Sequence, residues 1–130
     1  TITEIDAQIG RLIAELKRRG AYDDTLIVFS ADHGDSLGIH RGLTDKALFM
    51  YEQTNRVPLL VKAPATRTAD GAAPFFPRAG EREDRFVGTC DLYSTFLDYA
   101  GLPRAEAELD GRSLRPLLEN EPGLAWRDQI

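Results

Sequence analysis

The stretch FSADHGDSLGIHRGLTDK, residues 29–46, contains both histidines of the 130-residue chain, and its reading decides the fold. It leaves a short, continuously apolar run, TLIVFSA (residues 25–31), and breaks into glycine-punctuated polar sequence. A β-branched apolar run of that length, bounded by turn residues, predicts a strand buried on both faces, as in a parallel sheet. In open α/β sheets, ligands bind beyond the carboxyl ends of the strands, where ADHGD falls. Asp32 and His33 are consecutive. Inside a strand they would face opposite ways, but at a strand end both can turn toward one ion, and Gly34 permits the turn. A carboxylate oxygen with a neutral imidazole nitrogen is a mixed hard and borderline ligand pair. It suits manganese, zinc or a permissive calcium site better than magnesium.

His40 and Lys46 follow on the same excursion. A lysine is a point charge for a phosphate or sulfate oxygen, and a histidine can donate to that oxygen or protonate a leaving group. Each residue also has a plain structural reading. Asp beside Gly is ordinary turn chemistry, Asp35 reads as a cap or as a hydrogen-bond partner behind the ligands, and His40 and Lys46 taken singly are surface residues. Glu52 and Arg56 are spaced for an ion pair on a helix face. Cys90 reads as an inert, small core residue, and Phe49, Met50 and Tyr51 as packing under the loop.

Outward from this stretch, Ile5, Ile9, Leu12, Ile13 and Leu16 recur at helical spacing. Lys17, Arg18 and Arg19 suit the negative end of that helix, and Gly20 stops it. AYDD (residues 21–24) is a turn. VPLLVKAP (residues 57–64) predicts a second strand, with Pro58 tolerable at its start. Residues 65–85 read as a long, mobile polar connection. RFVGTCD (residues 85–91) predicts a third strand. DLYSTFLDYAG (residues 91–101) predicts a helix capped by Asp91, ended by Gly101, with Leu92, Phe96, Leu97 and Ala100 inward. DGRSLRPLLEN (residues 110–120) predicts a short helix or turn capped by Ser113. The order describes one edge of an α/β sheet. Three strands are few for a domain that stands alone, and the chain opens inside a helical pattern without a Met, so it reads as a single unit cut from a longer parent.

Composition excludes several classes. A net charge of −5 does not favour non-specific binding to nucleic acid or to an anionic membrane. No apolar run approaches the ~20 residues of a membrane span, and one cysteine precludes an internal disulfide.

The run SADHGDSLGIHRGLTDKALFMYEQTNRVPLLVKAP (residues 30–64) resembles the sulfatase family of the alkaline phosphatase superfamily. VGTCDLYSTFLDYAGLP (residues 87–103), followed by LDGRSLRPLL (residues 109–118), resembles that family's later segment, ahead of a small C-terminal subdomain. The resemblance implies an α/β fold, a mixed and mostly parallel sheet flanked by helices, of which residues 1–130 form the C-terminal portion of the catalytic domain. It implies that Asp32 and His33 are ligands to a divalent cation, calcium first with manganese or zinc as alternatives, and that His40 and Lys46 contact the sulfate group and its bridging oxygen as catalytic and substrate-binding residues. It implies a formylglycine nucleophile upstream, made from Cys or Ser in a C/S-x-P-x-R motif, whose hydrated aldehyde attacks sulfur.

This chain departs from the family pattern in three places. Many sulfatases carry Asp-Asn where this chain has Asp32-His33, a pair familiar in bacterial sulfatases and in phosphonate or phosphate ester hydrolases. HRGLTDK is one residue longer than the commonest spacing. No C/S-x-P-x-R motif is present, and Cys90 in TCDLYS lacks the Pro and Arg. The fragment by itself is therefore expected to be inactive and to bind metal weakly. Its partners would be a sulfated small molecule or glycan and the remainder of the parent catalytic domain, with no nucleic acid and no membrane. The alternatives are a phosphonate monoester or phosphodiester hydrolase or a phosphoethanolamine transferase of the same superfamily, or a degenerate binding module without catalysis.

Overall fold

A computed structural model describes residues 1–46, 50–65, 78–103 and 109–129. It divides into two compact units, residues 1–26 with 63–130, and residues 27–62.

The second unit carries the loop. Strands β1 (Ile27–Ser30) and β2 (Leu59–Lys62) pair with Phe29 opposite Leu60 and Val28 opposite Val61. The pairing is antiparallel, where the continuous apolar runs had suggested parallel neighbours. A mixed sheet accommodates such a pair at its edge. Phe29 and Leu60 share one face of the ladder, and both are exposed. Between the strands lie two single-turn helices, α2 (Ile39–Gly42) and α3 (Glu52–Asn55). Arg56 pairs with Glu52 at 2.9 Å, as their spacing predicted. Phe49 lies outside the described residues. Met50 is exposed rather than packed under the loop, and Tyr51 is half-buried.

In the first unit, α1 (Ile2–Arg18) begins with a capping box between Thr1 and Glu4. It ends in a Schellman closure, with the Ala21 N–H on the Leu16 carbonyl and the Gly20 N–H on that of Lys17. Ile9, Ile13 and Leu16 are half-covered, but Ile5 and Leu12 are open and no residue of α1 is fully buried.

Helix α4 (Cys90–Tyr99) starts one residue before the expected cap. Residues 85–89 are not a strand, because the Phe86 carbonyl accepts from the Trp126 indole at 2.8 Å and from Arg127 instead of from a ladder. Asp91 lies inside the first turn and is fully buried. Its carboxylate accepts the N–H groups of Gly88 and Arg112, each at 2.8 Å, and is bonded by Arg127.

The buried face of α4 is Asp91, Ser94 and Thr95, while Phe96 and Ala100 are exposed and Leu92 and Leu97 half-buried. This reverses the expected inward face. Residues 111–114 return to satisfy those polar side chains: Ser94 donates to the Gly111 carbonyl, and Thr95 accepts the Leu114 N–H. Helix α5 (Arg115–Leu118) follows, with Leu114 and Leu117 as its buried apolar residues. Leu114 is its N-cap residue, but the Ser113 hydroxyl accepts the Arg115 N–H and donates to Asp98. Cys90 is exposed, contrary to its reading as a core residue, because the adjacent Asp91 takes the inward position. Of the connection over 65–85, residues 66–77 lie outside the described residues. Residues 78–85 are held by ion pairs of Arg78 with Glu81 and Glu83, by Arg85 with Glu83, and by Arg78 on the Leu117 carbonyl.

Candidate metal and anion site

The loop opens where β1 ends. Asp32 turns its carboxylate back onto its neighbour, and Oδ1 accepts the His33 N–H at 3.0 Å. The imidazole Nδ1 lies 2.7 Å from the Gly34 carbonyl oxygen. A carbonyl only accepts, so that contact requires a proton on Nδ1. In a neutral ring the bare lone pair is then on Nε2, which stands 3.6 Å from Asp32 Oδ2. Two acceptors face each other there, too far apart for a hydrogen bond. Two ligand atoms at right angles around calcium are separated by about 3.3–3.7 Å when each is ~2.3–2.6 Å from the ion, so the spacing fits a shared cation. The Asp32 carboxylate is 88% exposed and the His33 ring 37%, so both are open to an incoming group. The His33 N–H and imidazole, with Lys46 as a weaker contributor, hold the Asp32 carboxyl below its usual range.

Gly34 seats the loop on α3. Its N–H donates to the Thr54 carbonyl at 2.9 Å, and a Cβ at this position would sit 1.9 Å from the Gln53 carbonyl oxygen. No other residue type fits without moving backbone. Beyond it, Asp35 accepts the Leu37 N–H at 2.6 Å in an Asx turn, while the N-cap of α2 is Gly38, with no side-chain cap bond.

The excursion then closes on itself. The Ser36 N–H donates to the Asp45 carbonyl at 3.1 Å, and the Gly38 N–H to that of Leu43 at 2.8 Å. Lys46 leaves this neck with its N–H on Asp45 Oδ1. Leu37, Arg41 and Asp45 all have positive φ, a left-handed geometry that costs roughly 1–2 kcal/mol at an ordinary L-residue. Strain of this kind concentrates at functional loops. Ser36 is fully buried, and its hydroxyl has no partner among the described residues; nothing in the sequence singled it out.

His40 is the second residue of α2, and its side chain lies outside the described residues. Among the described residues no cluster of three metal-ligating side chains occurs, so Asp32 and His33 stand as a pair.

The sulfatase family model matches residues 1–102. An N-acetylglucosamine-6-O-sulfatase of Bacteroides thetaiotaomicron is 37% identical over 121 residues, 93% of this chain and 19% of that protein. A solved phosphonate monoester hydrolase from Silicibacter pomeroyi is 42% identical, with a TM-score of 0.76 over 96% of this chain and 22% of that one. An enzyme solved with its substrate D-glucosamine-2-N,6-O-disulfate is 37% identical, with a TM-score of 0.77 over 98% of this chain and 24% of that one. The chain thus spans about a fifth to a quarter of the length of these relatives.

Proposed function

The chain belongs to the sulfatase family, and on that premise we propose that it furnishes part of the active site of a metal-dependent sulfuric ester hydrolase. The observation that carries this reading is the facing of Asp32 Oδ2 and His33 Nε2 at 3.6 Å, with Nδ1 occupied by the Gly34 carbonyl. A cation lying between the two atoms would satisfy both lone pairs, that of a neutral ring and that of its carboxylate neighbour. Asp32 and His33 would hold a divalent cation, calcium first and manganese or zinc otherwise, which when bound supplies charge for the ester oxygens. The Lys46 charge helps to lower the Asp32 carboxyl, and its ammonium would meet the negative charge that grows on the sulfate during S–O cleavage. His40 contacts the same group and delivers a proton to the departing alkoxide. The nucleophile, a formylglycine, comes from the part of the protein preceding Thr1, and the substrate is a sulfated small molecule or glycan. Residues 1–130 alone are inactive for want of that nucleophile.

Peptide mass spectrometry of the full-length protein tests this reading. A formylglycine upstream supports it, and an unmodified Ser or Thr at the nucleophile position overturns it in favour of a phosphoryl-group enzyme. A second reading, phosphonate monoester hydrolysis, is favoured by the 42% identity to the phosphonate monoester hydrolase. It shares the same residues, and relative turnover of an aryl sulfate and an aryl phosphonate monoester separates the two.

A further inference from the structure

Gly34 is bonded on both sides: its N–H holds the Thr54 carbonyl, and its own carbonyl faces His33 Nδ1. The first contact ties the residue to α3, and the second reads out on the imidazole. The site admits no Cβ at Gly34, because the Gln53 backbone occupies that space. Residues 53–54 therefore hold the Gly34 backbone at its N–H and Cα, next to the carbonyl that meets His33. We propose that Gly34 is a positioning residue that, backed by α3, locks His33 in the Nδ1–H tautomer and aims Nε2 at the Asp32 carboxylate. Metal-binding histidines characteristically donate their other ring N–H to a carbonyl or carboxylate, which fixes ring orientation and raises ligand basicity. The purpose of the lock rests on the reading of Asp32 and His33 as cation ligands, but the lock itself is a property of this chain.

A mere packing glycine would exclude a side chain without biasing the imidazole proton. The test is long-range 1H–15N NMR of 15N-histidine-labelled full-length protein, metal-free and at about pH 8, where an unperturbed imidazole is neutral. The His33 signal is assigned from a His33→Asn variant. The expected result is a single Nδ1–H tautomer. An Nε2–H ring, or a rapidly exchanging mixture, overturns the proposal. In Gly34→Ala, the expected results are loss of tautomer bias and a calcium affinity lower by about 10–100-fold, measured by indicator competition. Unchanged tautomer and affinity in a folded Gly34→Ala protein also overturn it, and if that variant fails to fold the wild-type spectrum decides. Titration with calcium alone separates the two layers. Locked ring nitrogens that do not respond to calcium, manganese or zinc support the lock and sink the metal reading.

Discussion

Arg127 reaches back across 36 positions of sequence to bond the carboxylate of Asp91, which is fully buried, while the Arg127 side chain is 13% exposed. The same carboxylate holds two backbone N–H groups, of Gly88 and Arg112. One charged residue at the start of α4 thereby gathers three separate stretches of the first unit. Removing a single partner of a buried ion pair leaves the other charge uncompensated and costs about 3–5 kcal/mol. Asp91→Ala is expected to lower the unfolding free energy of the protein by that amount, and Arg127→Ala by a similar one, as read from urea midpoints. The double variant should cost clearly less than the two losses added. Strict additivity would show that the two side chains are not coupled.

Gly111→Ala tests the return of the chain against α4. A Cβ there would lie 2.0 Å from the Cys90 carbonyl oxygen, and that atom is backbone. Overpacking of this kind costs about 3 kcal/mol. A midpoint within error of the parent's would mean that residues 109–114 do not press on α4.

Ser36→Ala is expected to go the other way. Its buried hydroxyl has no partner among the described residues, so its loss should leave stability unchanged or raise it by about 1 kcal/mol. Thermal unfolding measures this directly, and a drop of several degrees would reveal a partner for the hydroxyl.

Tyr99 provides the pH dependence. Burial, with Glu119 and Asp98 adding to it against Arg115, pushes its phenol up to about 12. The folded state keeps its proton while the unfolded chain releases it near pH ~10. The stabilisation is therefore complete below about pH 10 and falls as pH rises toward 12. Absorbance titration at alkaline pH should show one late tyrosine, absent in Tyr99→Phe. If all tyrosines titrate together near their ordinary range, the burial of Tyr99 is wrong.

Lys46→Ala in the full-length protein should lower kcat by about 100- to 1000-fold, the usual consequence of losing one donor to a developing anion. KM for a sulfate ester should change far less. A variant retaining most of its turnover would remove Lys46 from the site.

The adjacency of Asp32, His33 and Gly34 was legible in the sequence because its chemistry is local: a strand ends, a glycine turns, and two ligand types stand side by side. The α/β class was legible for the same reason, from short apolar runs alternating with helical periods. The direction of the β1–β2 pair was not, since a short apolar run looks alike in either sense. The segment over 85–89 has a strand's composition, but its Phe86 carbonyl is claimed by Trp126 and Arg127, forty positions away. The inner face of α4 was misread for a related reason. Apolar periodicity selects Phe96, whereas the residues that bury Ser94 and Thr95 arrive from 111–114. The Gly34 backbone that meets His33 is likewise bonded to Thr54, which no reading of residues 29–46 contains.

The neck between Ser36 and Asp45 has a bearing on how the loop would tolerate a change of length. It fixes the two ends of the excursion independently of what lies between them. Lengthening a loop is inexpensive, about 0.6 kcal/mol per doubling. A change of length between residues 39 and 42 would therefore move His40, the proposed proton donor, and leave the backbone bonds at the base of Lys46 in place. The neck splits the stretch into a tied base and a separable crown, so that a shortened or lengthened crown would cost turnover through His40 while the fold around Asp32 and Lys46 keeps its bonds.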